Sequence, residues 1–110
     1  MTNPTQFTWT VPTTNVDGTP IAAGEVIGYA VGLRDVSAST PGVYSRQVSV
    51  LNPTATSVAV PTDLADGTYA AAVLAIGTPN SAYSPEITFS YAQPVVVPPV
   101  PNAPTNLAVA

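Results

Sequence analysis

The sequence predicts an all-β fold, a sandwich of two antiparallel sheets made of short strands. Three observations predict it. No segment carries a sustained helical period, and apolar residues instead alternate with polar ones over short stretches. Thirteen prolines and seven glycines punctuate the 110 residues at spacings too short for helices. The chain is 45% hydrophobic yet only 7% charged, and Thr, Ser, Pro and Gly take the place of charge. That is the composition of strands and turns. A disordered chain would be poor in apolar residues or rich in net charge.

The elements follow in order. "QFTWTV" sets Phe7, Trp9 and Val11 on one face against Gln6, Thr8 and Thr10 on the other. "TTNVDGTPIAAGE" is a polar connection with an Asp17-Gly18 turn and Pro20. "VIGYAVGLR" alternates Ile27, Tyr29, Val31 and Leu33. "STPG", Ser39 to Gly42, is a turn, and "VYSRQVSVL" follows it. "TSVAVP" offers Val58 and Val60 and is stopped by Pro61. "LADGTYAAAVLAIG" turns at Asp66-Gly67, then runs almost wholly apolar, as a strand at the centre of a sheet should. "TPNSAYS" is a loop, and "EITFSY" alternates Ile87, Phe89 and Tyr91. The expected core is Phe7, Trp9, Val11, Ile27, Tyr29, Val31, Val58, Val60, Leu64, Tyr69, Val73, Phe89 and Tyr91.

Beyond Tyr91 the texture changes. "AQPVVVPPVPNAP" holds five prolines. Proline removes a backbone donor and fixes φ, so this stretch should be an extended polyproline arm that cannot sit inside a sheet. "TNLAVA" then alternates again, with Leu107 and Val109 as its apolar positions. The chain thus divides into a sandwich over 1–92, an arm over 93–103 and a strand-like tail over 104–110. Its interaction residues are expected to be Val95, Val96, Val97, Pro98, Pro99, Val100 and Pro101 of the arm, with Leu107 and Val109 of the tail.

Charge excludes several classes of function. The net charge is −4, from six acids against two arginines, Arg34 and Arg46, with no Lys or His. Phosphate contacts need clustered cations, so nucleic acid is not an expected partner. Neither a basic membrane-surface helix nor a bilayer-length apolar run is present, so no membrane is expected either. The opening Met1-Thr-Asn-Pro-Thr-Gln reads as the start of a frame with no signal peptide, which places synthesis in the cytoplasm. Without His or Cys there is no nucleophilic triad and no ordinary zinc site.

Two carboxylates suffice for glycoside hydrolysis, but Asp17, Glu25, Asp35, Asp63, Asp66 and Glu86 all flank turns or strand ends. There they serve the backbone. Asp63 with Asp66 lacks the dense oxygen ligands of a calcium loop. Gly24 and Gly28 make no phosphate cradle. No catalysis and no cofactor is therefore expected. Among the aromatic residues Tyr44 and Tyr83 lie at loop margins, and Tyr83 is a candidate loop contact for a sugar or a protein.

"FTWTVPTTNVDGTPI" and "IGYAVGL" resemble strands B and C of a fibronectin type III domain of the bacterial and bacteriophage kind. "LADGTYAAAVLA" is similar to that family's approach to strand F, although Tyr69 follows Thr68 directly, as in some immunoglobulin-like domains. The resemblance spans Gln6 to Tyr91 and letters the six strands B, C, C′, E, F and G. It implies a tyrosine-corner hydrogen bond from Tyr69. It also leaves strand A unaccounted for at the front. "APTNLAV", Ala103 to Val109, reads like that strand.

Either the tail is a stub of a following domain, or it supplies strand A to its own sandwich or to a neighbour's. Residues 105–109 are expected to pair as a strand with Leu107 and Val109 buried. The resemblance implies a structural role, a bacteriophage virion protein that decorates or cements a capsid or tail. Its partners would be virion proteins and copies of itself. The alternatives are a carbohydrate- or receptor-binding module, with its site on the loops 15–25 and 78–84, and a spacer from a bacterial multidomain surface protein.

Overall fold

A computed structural model describes residues 3–94 and 99–109. Six strands run in sequence order: β1 (Gln6–Thr8), β2 (Val26–Asp35), β3 (Arg46–Val50), β4 (Ser57–Ala59), β5 (Gly67–Gly77) and β6 (Ile87–Tyr91). The described residues contain no helix. Every pairing is antiparallel. β1 pairs with β4 alone, and β3-β2-β5-β6 form the second sheet. The long apolar strand β5 lies between β2 and β6, which explains why it needs no polar face.

The core lies between the sheets. Phe7, Val31, Leu33, Val60, Leu64, Tyr69, Ala71 and Tyr91 are buried there, with Trp9, Val48, Val58, Val73 and Phe89 packed against them. Phe89 is its aromatic centre. The Phe7 ring meets it edge-on at 5.6 Å, and Tyr69 stacks on it at 5.8 Å. The Tyr69 hydroxyl donates to the Ala65 carbonyl at 2.7 Å, which pins the turn before β5 to the strand itself.

Two expected core residues are not there. Val11 is only half-buried and lies outside the cluster, because β1 ends at Thr8 and the chain has left the β1–β4 ladder by then. Ile27 is 51% exposed, because the pairing of β2 with β5 slips between Val26 and Gly28. A bulge shifts side-chain alternation by one residue, so the period that holds from Tyr29 to Leu33 does not extend back to Ile27. Conversely, Leu33 is only 1% exposed and belongs to the core.

The outer face of the larger sheet is covered as well. Ala30, Gly32 and Arg34 of β2 and Ala70 and Ala72 of β5 are buried on it. Gly32 makes this cover fit, since a Cβ there would meet the Tyr44 ring at 2.6 Å. Tyr44 packs on Tyr83 with ring centroids 4.7 Å apart. Beneath the pair, Arg34 forms a two-pronged ion pair with Glu86, with Nε at 2.9 Å and Nη2 at 2.8 Å.

The tail does not complete this sandwich. Residues 99–109 have no regular secondary structure, and all are exposed, Leu107 and Val109 fully so. The expected pairing of residues 105–109 with burial of Leu107 and Val109 is absent from the single chain. A cis-docked strand A is therefore not part of this structure.

Candidate functional site

Two places in the fold offer a surface to a partner. The first is the edge of β1 and the groove beside it. Trp9 N–H donates to the Thr56 carbonyl at 2.9 Å, and Val60 N–H donates to the Thr5 carbonyl at 3.0 Å. Residues 5, 7 and 9 thus direct their backbone groups at β4. In an antiparallel ladder the intervening residues direct theirs the other way. Gln6 and Thr8 therefore present N–H and C=O groups on an edge with no strand partner among the described residues. Beside it opens a groove of about 250 Å³, walled by Phe7, Thr8 and Trp9 on one side and Val73, Pro85 and Ile87 on the other.

The root of the C-terminal arm is fixed near the start of β1. Ala92 N–H donates to the Asn3 side-chain oxygen at 3.0 Å, and Asn3 Nδ2 donates back to the Ala92 carbonyl at 2.6 Å. Gln93 N–H donates to Asp66 at 2.6 Å, while its side-chain amide donates to the carbonyls of Thr62 and Leu64. Past this anchor, Pro99, Val100 and Pro101 are exposed, as are Leu107 and Val109. The other expected arm residues, Val95, Val96, Val97 and Pro98, lie outside the described residues.

The second place is a cleft of about 510 Å³ at the opposite pole. The loop from Pro12 to Ile27 lines it together with the segment from Ala75 to Ser81. The sequence had singled out both loops, and the fold brings them together. Asn15 donates to Glu25 at 3.0 Å inside the first loop, and Ser81 and Asn80 bond the backbone of β5 in the second. Tyr83 does not line this cleft. It is half-buried against Tyr44, and its hydroxyl accepts from Gln47 Nε2 at 2.6 Å.

No known protein family, curated protein or solved structure matches the chain.

The acids are occupied locally. Asp17 bonds the Thr19 hydroxyl and amide, and Asp35 does the same with Ser37; these bonds hold both carboxyls below their ordinary range. Asp63 is lowered by Arg46 at 2.8 Å. Glu86 falls to about 2, first because Arg34 bonds it and then through the Tyr44 hydroxyl, against the opposing effect of burial. Tyr44 rises to about 12, chiefly through burial and then through its bond to Glu86. Among the described residues no three of these acids gather as metal ligands would. Each perturbed group thus has a structural partner to explain it.

The resemblance leaves strand A unaccounted for beside β1, which is the edge where the groove opens, but the far wall of the groove was not foreseen. For that wall the available signal was Ile87. This residue shares a face of β6 with Phe89 and Tyr91, yet it is exposed where they are covered.

Proposed function

We propose that this chain is a non-enzymatic assembly module with a fibronectin type III-like fold, built to fasten protein subunits together through its C-terminal arm. The setting that the resemblance favours is a bacteriophage virion, where such a module would decorate or cement a capsid or tail after synthesis in the host cytoplasm.

The fold assignment draws on two features. Lettered by the resemblance, the sheets are B-E and C′-C-F-G, and immunoglobulin-like sandwiches divide their strands in this way. Tyr69 also makes the upstream backbone bond expected of a tyrosine corner.

One observation carries the function. A tail with two fully exposed alternating apolar side chains, Leu107 and Val109, follows a root tied down by Asn3, Asp66 and Gln93. Free apolar strands are an aggregation liability unless they have a destination. The test is to delete residues 94–110 and follow incorporation into purified particles from cells that make both the protein and the phage. The full chain should sediment with virions and the truncated chain should not. Equal incorporation of the truncated chain overturns the reading.

The cleft formed by the loops 15–25 and 78–84, with Asn15, Glu25, Asn80 and Ser81 set among apolar walls, favours a second reading, a carbohydrate- or receptor-binding module. Glycan-array binding that is lost on Glu25→Ala would select it over assembly.

A further inference from the structure

We propose that the open edge of β1, with the groove beside it, accepts the Thr105–Val109 segment of a second copy of this chain as an added antiparallel strand. The inference rests on the assembly reading above and names both halves of the joint.

The acceptor shows three independent signs of a missing strand. The backbone groups of Gln6 and Thr8 face an edge without a strand partner among the described residues. Ile87 lies two residues before Phe89 and four before Tyr91, on the face of β6 that packs into the core. Tyr91 is buried and Phe89 packs against the core cluster, but Ile87 is 60% exposed. It forms a wall of the groove with no strand across from it. The third sign is Trp9. Its indole N–H is buried and has no hydrogen-bond partner, the one such side-chain atom among the described residues. Buried donors are nearly always paired, and Trp9 lines this groove.

The tail has the chemistry of the missing piece. Proline cannot donate within a ladder. With prolines at 94, 98, 99, 101 and 104, the longest proline-free run after β6 that falls among the described residues begins at Thr105. In the single chain Asn106 stands at φ 59°, so docking turns it to the extended region; Thr105, Leu107 and Val109 then share one face of the strand and Asn106 and Ala108 the other. Leu107 and Val109 then meet a groove whose walls are apolar and aromatic. Neither partner carries a charge that would have to be desolvated. Backbone bonds to the edge and side chains in pockets are how strand addition achieves affinity and register.

The partner is a second copy because of where the arm starts. Asn3 binds Ala92, so the arm leaves beside the beginning of β1. A strand antiparallel to β1 must begin beside its other end. To dock on its own sandwich the arm would have to pass the whole of β1 and then reverse. Residues 99–109 do not do so, and all are exposed. A tail arriving from a second copy needs no reversal. Each copy then gives one strand and receives one.

The test uses full-length chains and two defects. Leu107→Asp spoils the tail at a fully exposed position. Thr8→Pro removes an edge N–H that takes no part in the pairing with β4. If Thr8→Pro fails to fold by circular dichroism, Ile87→Asp replaces it as the groove defect. In sedimentation equilibrium the unaltered chain should associate as its concentration rises, and each variant alone should stay monomeric. An equimolar mixture of the tail defect with the groove defect should form a one-to-one species, since each supplies what the other lacks.

Trp9 is the sole tryptophan and reports on the groove directly. A synthetic peptide of residues 101–110 should shift its emission saturably when added to the Leu107→Asp chain. A strictly monomeric unaltered chain, an associating Leu107→Asp variant, a mixture that stays monomeric or a silent Trp9 each overturns the exchange. Self-association without incorporation into virions would leave this inference standing and remove the virion setting. Incorporation of a chain that never self-associates would do the reverse.

Discussion

Arg34 and Glu86 stand 52 residues apart in sequence and meet in a two-pronged ion pair, with the Arg34 side chain only 7% exposed. Tyr44 donates its hydroxyl to the same carboxylate at 2.8 Å, and Arg34 also donates to the Ser39 carbonyl at 2.8 Å. The pair thus joins β2, the turn after it and the start of β6 on the outer face of the larger sheet. A charge this enclosed is tolerated only while its partner is present.

Acid should expose that dependence. The Glu86 carboxyl is lowered from its ordinary 4.5 to about 2. A lowered carboxyl contributes stability that is complete above the unfolded value and is lost as pH falls through the folded one. The unfolding midpoint should therefore drop between pH 4.5 and about 2, and Glu86→Gln should flatten that limb. Thermal melts at several pH values would show it. Asp63→Asn should leave the midpoint at neutral pH unchanged, because the Arg46–Asp63 pair lies in solvent, at 42% and 71% side-chain exposure. An equally steep acid limb in Glu86→Gln would refute the assignment.

Leu33 and Ile27 sit on one strand and should behave as opposites. Leu33→Ala opens a cavity in the buried centre and should cost about 2–5 kcal/mol. Ile27→Ala, at the exposed bulge, should stay within about 0.5 kcal/mol of the parent. Urea unfolding with unchanged slope is the appropriate measurement. Similar costs for the two would mean that the bulge is misplaced.

That contrast also marks how far the sequence could be read. Short strands between Pro and Gly signals were legible because period-two alternation is a local property. The central place of β5 was legible because an apolar run without a polar face needs cover on both sides. The slip at Val26 and Gly28 was not, since pairing with β5 creates it and nothing local announces it. Burial of Arg34 was hidden for the same reason: its cover, Tyr44 and Glu86, comes from distant segments. At the candidate site, the alternation of Leu107 and Val109 could be read directly. The open edge of β1 was legible only through the strand A that the resemblance leaves unaccounted for, and the far wall at Ile87 was not legible at all, because it exists only once the two sheets have packed.

Tyr69→Phe removes one hydroxyl and little else. Its bond to the Ala65 carbonyl closes the turn leading into β5, while the ring stays stacked on Phe89. The expected loss is about 0.5–1.5 kcal/mol, the net worth of a neutral hydrogen bond. Chemical denaturation would register it as a lower midpoint with the same slope. No loss at all would show that the corner bond is not formed in solution.

The anchor at the root of the arm gives the last prediction. The Ala92 amide has a side-chain acceptor, Asn3 Oδ1 at 3.0 Å, and Asn3 Nδ2 returns a bond to the Ala92 carbonyl at 2.6 Å. Asn3→Ala removes both bonds at an exposed place, where water takes up the freed groups, so global stability should change by no more than about 1 kcal/mol. Local opening is a different matter. Hydrogen exchange at a strand end follows the free energy of fraying, and one hydrogen bond there is worth roughly tenfold in protection. The Ala92 amide in Asn3→Ala should therefore exchange about tenfold faster, while Tyr69 and Ala71 amides in the middle of the sheet keep their rates. The Gln93 amide, held by Asp66 at 2.6 Å rather than by Asn3, should change less. Measured residue by residue with NMR, unchanged exchange at Ala92 would show that Asn3 does not hold the arm, and that the direction in which the tail departs is set elsewhere.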